Sequence, residues 1–255
     1  MSILNTLAVK VAHVFIRLAT SFIPQKKART ICRKRWMIAC GPRSCADHGK
    51  GNQFVQIRED GTVVRNPKIP GLRVEFHGDG NTVTIHGDFP LFRNSLIYMN
   101  HDSSVVIGAS PYLISSLHVA GMCRNKLVIG DHFSSDSVLF AYNCEDVDIV
   151  IGNDVLVSTD VVFRASDGHT IIDLSTGRPC NPGKSIHVGD HCWIGMRSMV
   201  LKGGGLPSFA ILGACSVVTK RFDREHCALA GIPARIVKEN IDWDHRNYSQ
   251  YMREQ

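Results

Sequence analysis

No CxxC pair occurs among the nine cysteines of this chain, and nine is an odd number. Both facts argue against a disulfide framework and against a zinc knuckle, whose ligands come as closely spaced pairs. The cysteines read instead as reduced, small core fillers in a cytoplasmic protein; Cys192 and Cys215 fall at or beside interior positions of the repeat described below. A long uninterrupted apolar run is missing too. From Ile3 to Phe22 the apolar residues Leu4, Leu7, Val11, Val14, Phe15, Leu18 and Phe22 recur at helical spacing, with Thr6, Lys10, His13 and Arg17 on the opposite face. Lys10 and Arg17 make this amphipathic helix a poor membrane span. Its strong positive charge follows the apolar run and no small-residue cleavage site is evident, so it is a poor signal peptide as well.

Acidic residues are scarce at the start. Up to Gly49, nine basic residues (Lys10, Arg17, Lys26, Lys27, Arg29, Arg33, Lys34, Arg35 and Arg43) stand against one acid, Asp47, and this segment carries the positive excess of a chain whose net charge is +6. The repeat region has no such bias. With no recognition helix and no aromatic base platform, nucleic acid is not an expected partner. The helix and the KKARTICRKR cluster behind it suit peripheral contact with an anionic membrane face; packing on the first coil or on a neighbouring subunit serves equally.

What is present is a period. From Val188 to Val217 the chain reads VGDHCW, IGMRSM, VLKGGG, LPSFAI, LGACSV. Position one is always aliphatic (Val188, Ile194, Val200, Leu206, Leu212) and position five always small (Cys192, Ser198, Gly204, Ala210, Ser216). A fixed short period signals a solenoid, in which each turn buries its apolar face only by stacking on its neighbours. If each hexad is one flat β-segment plus a turn, three hexads close a triangular coil with one large and one small residue per side. Gly189, Gly195 and Gly213 at position two are expected at the tight corners. Position six points outward, which leaves Trp193 on the outer wall, a costly place for an indole unless something covers it.

Between Gly71 and Gly152 the period is looser, alternating polar turns with β-branched strands, and reads as earlier coils with longer corners. Clean hexads begin at Ile151 (IGNDVL, VSTDVV, FRASDG) and then break. The phase returns only at Val188, leaving an inserted segment, HTIIDLSTGRPCNPGKSIH, whose Gly177, Pro179, Pro182 and Gly183 argue against a further strand. A loop leaving a rigid wall is where solenoids place function. His169 opens it, and imidazole is the side chain suited to take a proton near neutral pH. Asp167 and Asp173 are the nearest carboxylates in sequence able to orient its second nitrogen, and the sequence leaves open which does so.

The hexads resemble those of the hexapeptide-repeat acyltransferases, whose fold is a left-handed parallel β-helix; the handedness comes from that resemblance, not from the period. The stretch SDGHTIID, Asn181, IHVGDHCWIG, VLKG, LGACSVVTK and AGIPARIVKENIDW, about 90 residues from Ile151 to Trp243, is similar to the bacterial polysaccharide and sialic-acid O-acetyltransferases. The fold class expected is an all-β solenoid with an N-terminal helical segment (1–50), the β-helix (51–236, catalytic loop 168–187) and a C-terminal tail (237–255). The resemblance implies His169 as general base and Trp193 as a lining of the donor tunnel. It implies acetyl-CoA as co-substrate, held by Gly195, Met196, Ala214, Thr219, Lys220 and Arg235, with Lys202 a lesser candidate; the cations pair with CoA phosphates. It further implies a homotrimer with sites between subunits. Direct transfer from thioester to hydroxyl needs no serine or cysteine nucleophile, and no metal is expected. The acceptor would be a sugar hydroxyl of a surface glycan, a lipid-linked precursor or a nucleotide sugar, and the location cytoplasmic, with the helix at the inner membrane face in the lipid-linked case. Pro207 and Cys215 replace the glycines usual at their places, near the donor groove.

Three other readings stand beside this one. An amine acceptor can use the same base and groove, as in N-acyltransferases of amino sugars or small-molecule acetyltransferases. Some left-handed β-helix proteins bind zinc through histidines and hydrate carbon dioxide, but His187 and His191 lie on one strand and its corner rather than on stacked coils. A binding solenoid that lost its chemistry would lack the loop histidine or the outward tryptophan, and both are present. Cys180 lies in the loop without a cue for a lowered thiol pKa. Residues 36–70 read as a cap or first coil.

Overall fold

The structure, a computed structural model, describes residues 44–254. The amphipathic helix, its basic cluster and the membrane contact expected of them lie outside the described residues. From Cys45 onward the chain winds into a three-sided coil whose sides are three eight-stranded sheets. It is a left-handed parallel β-helix. The first face runs from Cys45–Asp47 to Val217–Val218. The second begins at an antiparallel hairpin, Gln53–Ile57 with Val63–Arg65, which closes one end of that sheet inside the segment read as a cap. The third ends in another antiparallel pair, Cys227–Gly231 with Ala234–Glu239, ahead of the short helix Tyr248–Arg253.

Stacking, not local propensity, holds the coil together. On the first face Val74, Ile97, Val119, Phe140, Phe163, Val200 and Val218 form one inward ladder, each residue in register with the next. All are fully buried. Phe140 and Phe163 stack with centroids 5.0 Å apart. Each such side chain contributes about 1.5–3 kcal/mol of apolar burial, available only when the coils above and below are in place.

Coil length explains why the clean period begins late. Successive second-face strands lie 22 residues apart from Val83 through Val105 and Leu127 to Ile149, but the last spacing, His187 to Gly205, is 18. The wide coils have first-face strands of seven or eight residues and hold large side chains such as Met99, Met122 and Tyr142. The 18-residue coil is three hexads, and the small position-five residues Cys192, Ser198, Ala210 and Ser216 are all fully buried.

Two expectations are corrected. The left-handed backbone conformation falls at position four of the hexads, at His191, Arg197, Gly203, Phe209 and Cys215, not at the position-two glycines. Gly189 and Gly195 are needed for a different reason: a Cβ would lie 2.4 Å from Ser208 N and 2.6 Å from Ala214 N on the next coil. Cys215, in one of those turns, is exposed, whereas Cys192 is a true core filler whose thiol burial pushes up to about 12. In the hexads of the second face, position three closes the corner between the second and third faces. There Asp131, Asn153, Asp190 and Ser208 accept, coil after coil, the backbone N–H of the preceding coil, a polar ladder satisfying donors that face no strand.

Candidate active site

The interrupted coil is the local origin of the site. Ile151, Val157 and Phe163 are in register with Val188, Ile194 and Val200, so the hexads resume as though the loop were absent. That spacing of 37 exceeds the 18 of the next coil by 19, the length of the inserted segment. The loop leaves at the corner between first and second faces and is pinched at its base by Lys184 N–H donating to Ala165 O at 3.0 Å. Its limbs do form a short antiparallel pair, Ile172–Asp173 with Arg178–Pro179, where the glycines and prolines suggested no strand. Ile171, Ile172 and Leu174 project from it exposed.

His169 is exposed at the start of this loop, directly after Gly168, whose φ of +83° admits little but glycine. Among the described residues neither candidate carboxylate bonds to its ring. Asp167 Oδ2 accepts instead from Lys202 Nζ at 2.5 Å and Asn181 Nδ2 at 2.8 Å, and the Lys202 bond first, Asn181 second, hold its carboxyl below the usual range. Asp173 caps its own turn through Ser175, which likewise lowers its pKa.

The remaining candidates divide into two groups. Lys202, Thr219 and Lys220 lie at the loop's corner, on successive coils, with Gly205 N–H donating to Lys220 O and the Lys220 ammonium 5.3 Å from the Phe222 ring centroid. Gly195, Met196 and Ala214 lie at the corner between third and first faces, where Gly195 N–H donates to Leu212 O at 2.7 Å. Arg235 is close by in the terminal hairpin, whose Gly231 N–H reaches Ser216 Oγ. Trp193 stands on the outside of the third face, 41% exposed, in a row with Leu156, Ile211 and Ala228. One chain therefore places His169 and Trp193 on different sides of the prism.

A cluster beside Trp193 escaped the sequence reading. Trp243, returning from the C-terminus, stacks on His191 with centroids 4.7 Å apart, donates its indole N–H to His191 O and lies 6.4 Å from the Trp193 ring. Asp154 bridges His191 and His245, and His245 stacks on Tyr112. The available signal was positional: Asp154 and His191 both occupy position four, and removal of the loop makes their coils neighbours. Among the described residues no group of three or more His, Cys, Asp or Glu side chains is arranged to hold a metal ion.

No protein-family model matches the chain. It is 32% identical over 119 residues to the polysialic acid O-acetyltransferase of Escherichia coli O1:K1 / APEC, covering 47% of this chain and 38% of that one. It is 38% identical over 104 residues to the polysialic acid O-acetyltransferase of Neisseria meningitidis, covering 41% and 48%. The chain thus spans under half the length of these curated relatives. The crystal structure of the polysialic-acid-specific acetyltransferase NeuO superposes with a TM-score of 0.68 at 25% identity, over 83% of this chain and 91% of that one. Fold and repeat together define a hexapeptide-repeat, left-handed β-helix protein. Within that class the chain is similar to the bacterial polysialic acid O-acetyltransferases.

Proposed function

We propose that this protein moves an acetyl group from acetyl-CoA to a sugar hydroxyl of a bacterial surface polysaccharide or its precursor, with His169 as general base. The observation that carries the reading is the excised loop: a rigid coil whose register is undisturbed presents one exposed imidazole at a corner. His169 takes the hydroxyl proton as the oxygen attacks the thioester carbonyl; the C–S bond then breaks, and the proton passes to the leaving CoA sulfur. No enzyme nucleophile is required. The residues suit the donor. Trp193 and Met196 give an exposed apolar wall for the thioester arm, and Lys220 and Arg235 give cations for its phosphates.

A site containing both His169 and Trp193 takes two copies of the chain, the loop corner of one against the third face of the next. A homotrimer supplies that pairing three times. The exposed Ile171, Ile172 and Leu174 support it, because aliphatic side chains grouped on a loop are stable when a neighbour covers them. The test is thiol release from acetyl-CoA across a panel of glycans, nucleotide sugars and amino sugars, for the native protein and His169→Ala. Turnover with a hydroxyl acceptor that falls by about two to four orders of magnitude in the variant supports the reading. Unchanged turnover in the variant removes His169 from the role, and turnover only with amines moves the activity to N-acylation.

A further inference from the structure

We infer that Asn181 is the positioning residue for His169, doing from the returning limb of the loop what a strand partner would otherwise do. This rests on His169 being the base. The limbs pair in register through Ile172 with Pro179 and Asp173 with Arg178, and Cys180 N–H continues the ladder to Ile171 O at 2.9 Å. Carried on by the same register, residue 182 falls opposite His169. Residue 182 is proline and has no N–H to give, so the ladder stops one step short of the imidazole-bearing residue.

The Asn181 side chain fills that gap. Its Nδ2 donates to His169 O at 2.8 Å and to Asp167 Oδ2 at 2.8 Å, and its Oδ1 accepts Ile171 N–H at 2.7 Å. Both amide hydrogens and the amide oxygen are used, and they hold the backbone on either side of His169. Lys202 completes the device from the following coil. Its ammonium, 2.5 Å from the same Asp167 oxygen, ties the loop base to the rigid wall. Asp167 and Lys202 are thereby engaged in fixing the loop, which differs from an imidazole-orienting role for the one and a donor-binding role for the other.

Only an amide serves at this place. Aspartate has the same size but no donor, and it would set a carboxylate against Asp167 and the His169 carbonyl, so Asn181→Asp is the sharper disruption and Asn181→Ala the plainer one. The experiment uses the full chain and four proteins: native, Asn181→Ala, Asn181→Asp, and Asn181→Ala combined with His169→Ala. Backbone hydrogen exchange over residues 168–173 should accelerate by about ten-fold or more in Asn181→Ala and further in Asn181→Asp, while the β-helix strands stay protected. In turnover, kcat should fall by about ten-fold with KM for acetyl-CoA unchanged, and adding Asn181→Ala to His169→Ala should cost nothing more, because the residue acts through the base.

Unchanged exchange overturns the proposal, as does a further loss in the His169→Ala background or an effect confined to KM. If His169→Ala itself turns over normally, the general-base reading fails and the positioning role with it, even where exchange shows Asn181 holding the loop. If no acceptor gives turnover, the exchange result alone decides whether Asn181 fixes the backbone at His169.

Discussion

Asp154 Oδ2 lies 2.5 Å from His191 Nδ1, from the same hexad position on the preceding coil. The other ring nitrogen, Nε2, is 3.2 Å from Trp243 O and 3.2 Å from Asp242 Oδ1. Both nitrogens face acceptors, so the arrangement is satisfied when His191 is an imidazolium. Burial opposes that charge, but the bond to Asp154 and the Trp243 carbonyl outweigh it and raise the His191 pKa. Burial likewise works against the Asp154 carboxylate, and bonds from His245 and His191 outweigh it and lower that pKa.

The pH dependence of the C-terminal segment follows from these directions. The His191 contribution is fully present below the ordinary histidine pKa of about 6.5 and is lost as pH rises through its raised folded value. The Asp154 contribution is present above about 3.9 and is lost as pH falls through its lowered folded value. The segment should dock most firmly between the two. Tryptophan fluorescence should show a step above about pH 6.5, as Trp243 loses its partner, that is absent in His191→Gln. A step of equal size in the variant would assign the transition to another group.

Lys220→Ala and Arg235→Ala should each raise KM for acetyl-CoA by about ten-fold and leave kcat nearly unchanged, because a phosphate contact binds ground and transition states alike. Dephospho-CoA thioesters, lacking one phosphate group, should narrow the difference for whichever residue contacts that group. A fall in kcat at constant KM would place the residue at the reacting centre instead.

Gly195→Ala should destabilise the coil even though its backbone lies in an ordinary region. The added methyl would sit 2.6 Å from both Ala214 N and Leu212 O, backbone atoms that cannot rotate away, and overpacking of this kind costs about 1–3 kcal/mol. Gly177→Ala is the contrasting case: nothing lies within 4 Å of its Cβ, and only its φ of +64° opposes the change, at about 1–2 kcal/mol. In Gly177→Ala the strain sits in the loop, so strand amides should keep native exchange protection, whereas Gly195→Ala should loosen the Trp193–Leu212 region.

Leu174→Ser should weaken self-association without unfolding the chain. Leu174 is 95% exposed, so removing it from one chain costs that chain's own fold within about 0.5 kcal/mol. Light scattering across a dilution series should show dissociation at higher protein concentration than the native protein, with far-UV dichroism unchanged. Identical dilution curves would mean that the loop tip is not covered by a neighbour.

Inward and outward positions were legible from the sequence because they are set within a single strand. Val188, Ile194, Val200, Leu206 and Leu212 are all buried, as their place in the hexad requires, and the phase break after FRASDG marks where the coil is interrupted, although the loop base lies at Ala165 and Lys184 and Ile186 and His187 already belong to a strand. The corner glycines misled for an equally local reason. A short-period glycine suggests a backbone turn, yet Gly195 answers to the atoms of the next coil, which no window of six residues contains. The Trp243 contact is harder still, since Trp243 and His191 are 52 residues apart and meet only because the terminal hairpin turns the chain back.

By itself the sequence determined that this is a solenoid, which side chains fill it, where its coil is interrupted and which histidine the interruption presents. Strand alternation and stacking period are short-range properties, and they survive in a linear reading. Tertiary structure decided that His169 and Trp193 stand on different sides of one chain, that Asp167 belongs to Lys202 and Asn181, and that Asp154 faces His191. Those relationships depend on the circumference and closure of the coil, which bring residues 18, 22 or 37 positions apart into register, and closure is a property of the whole wall.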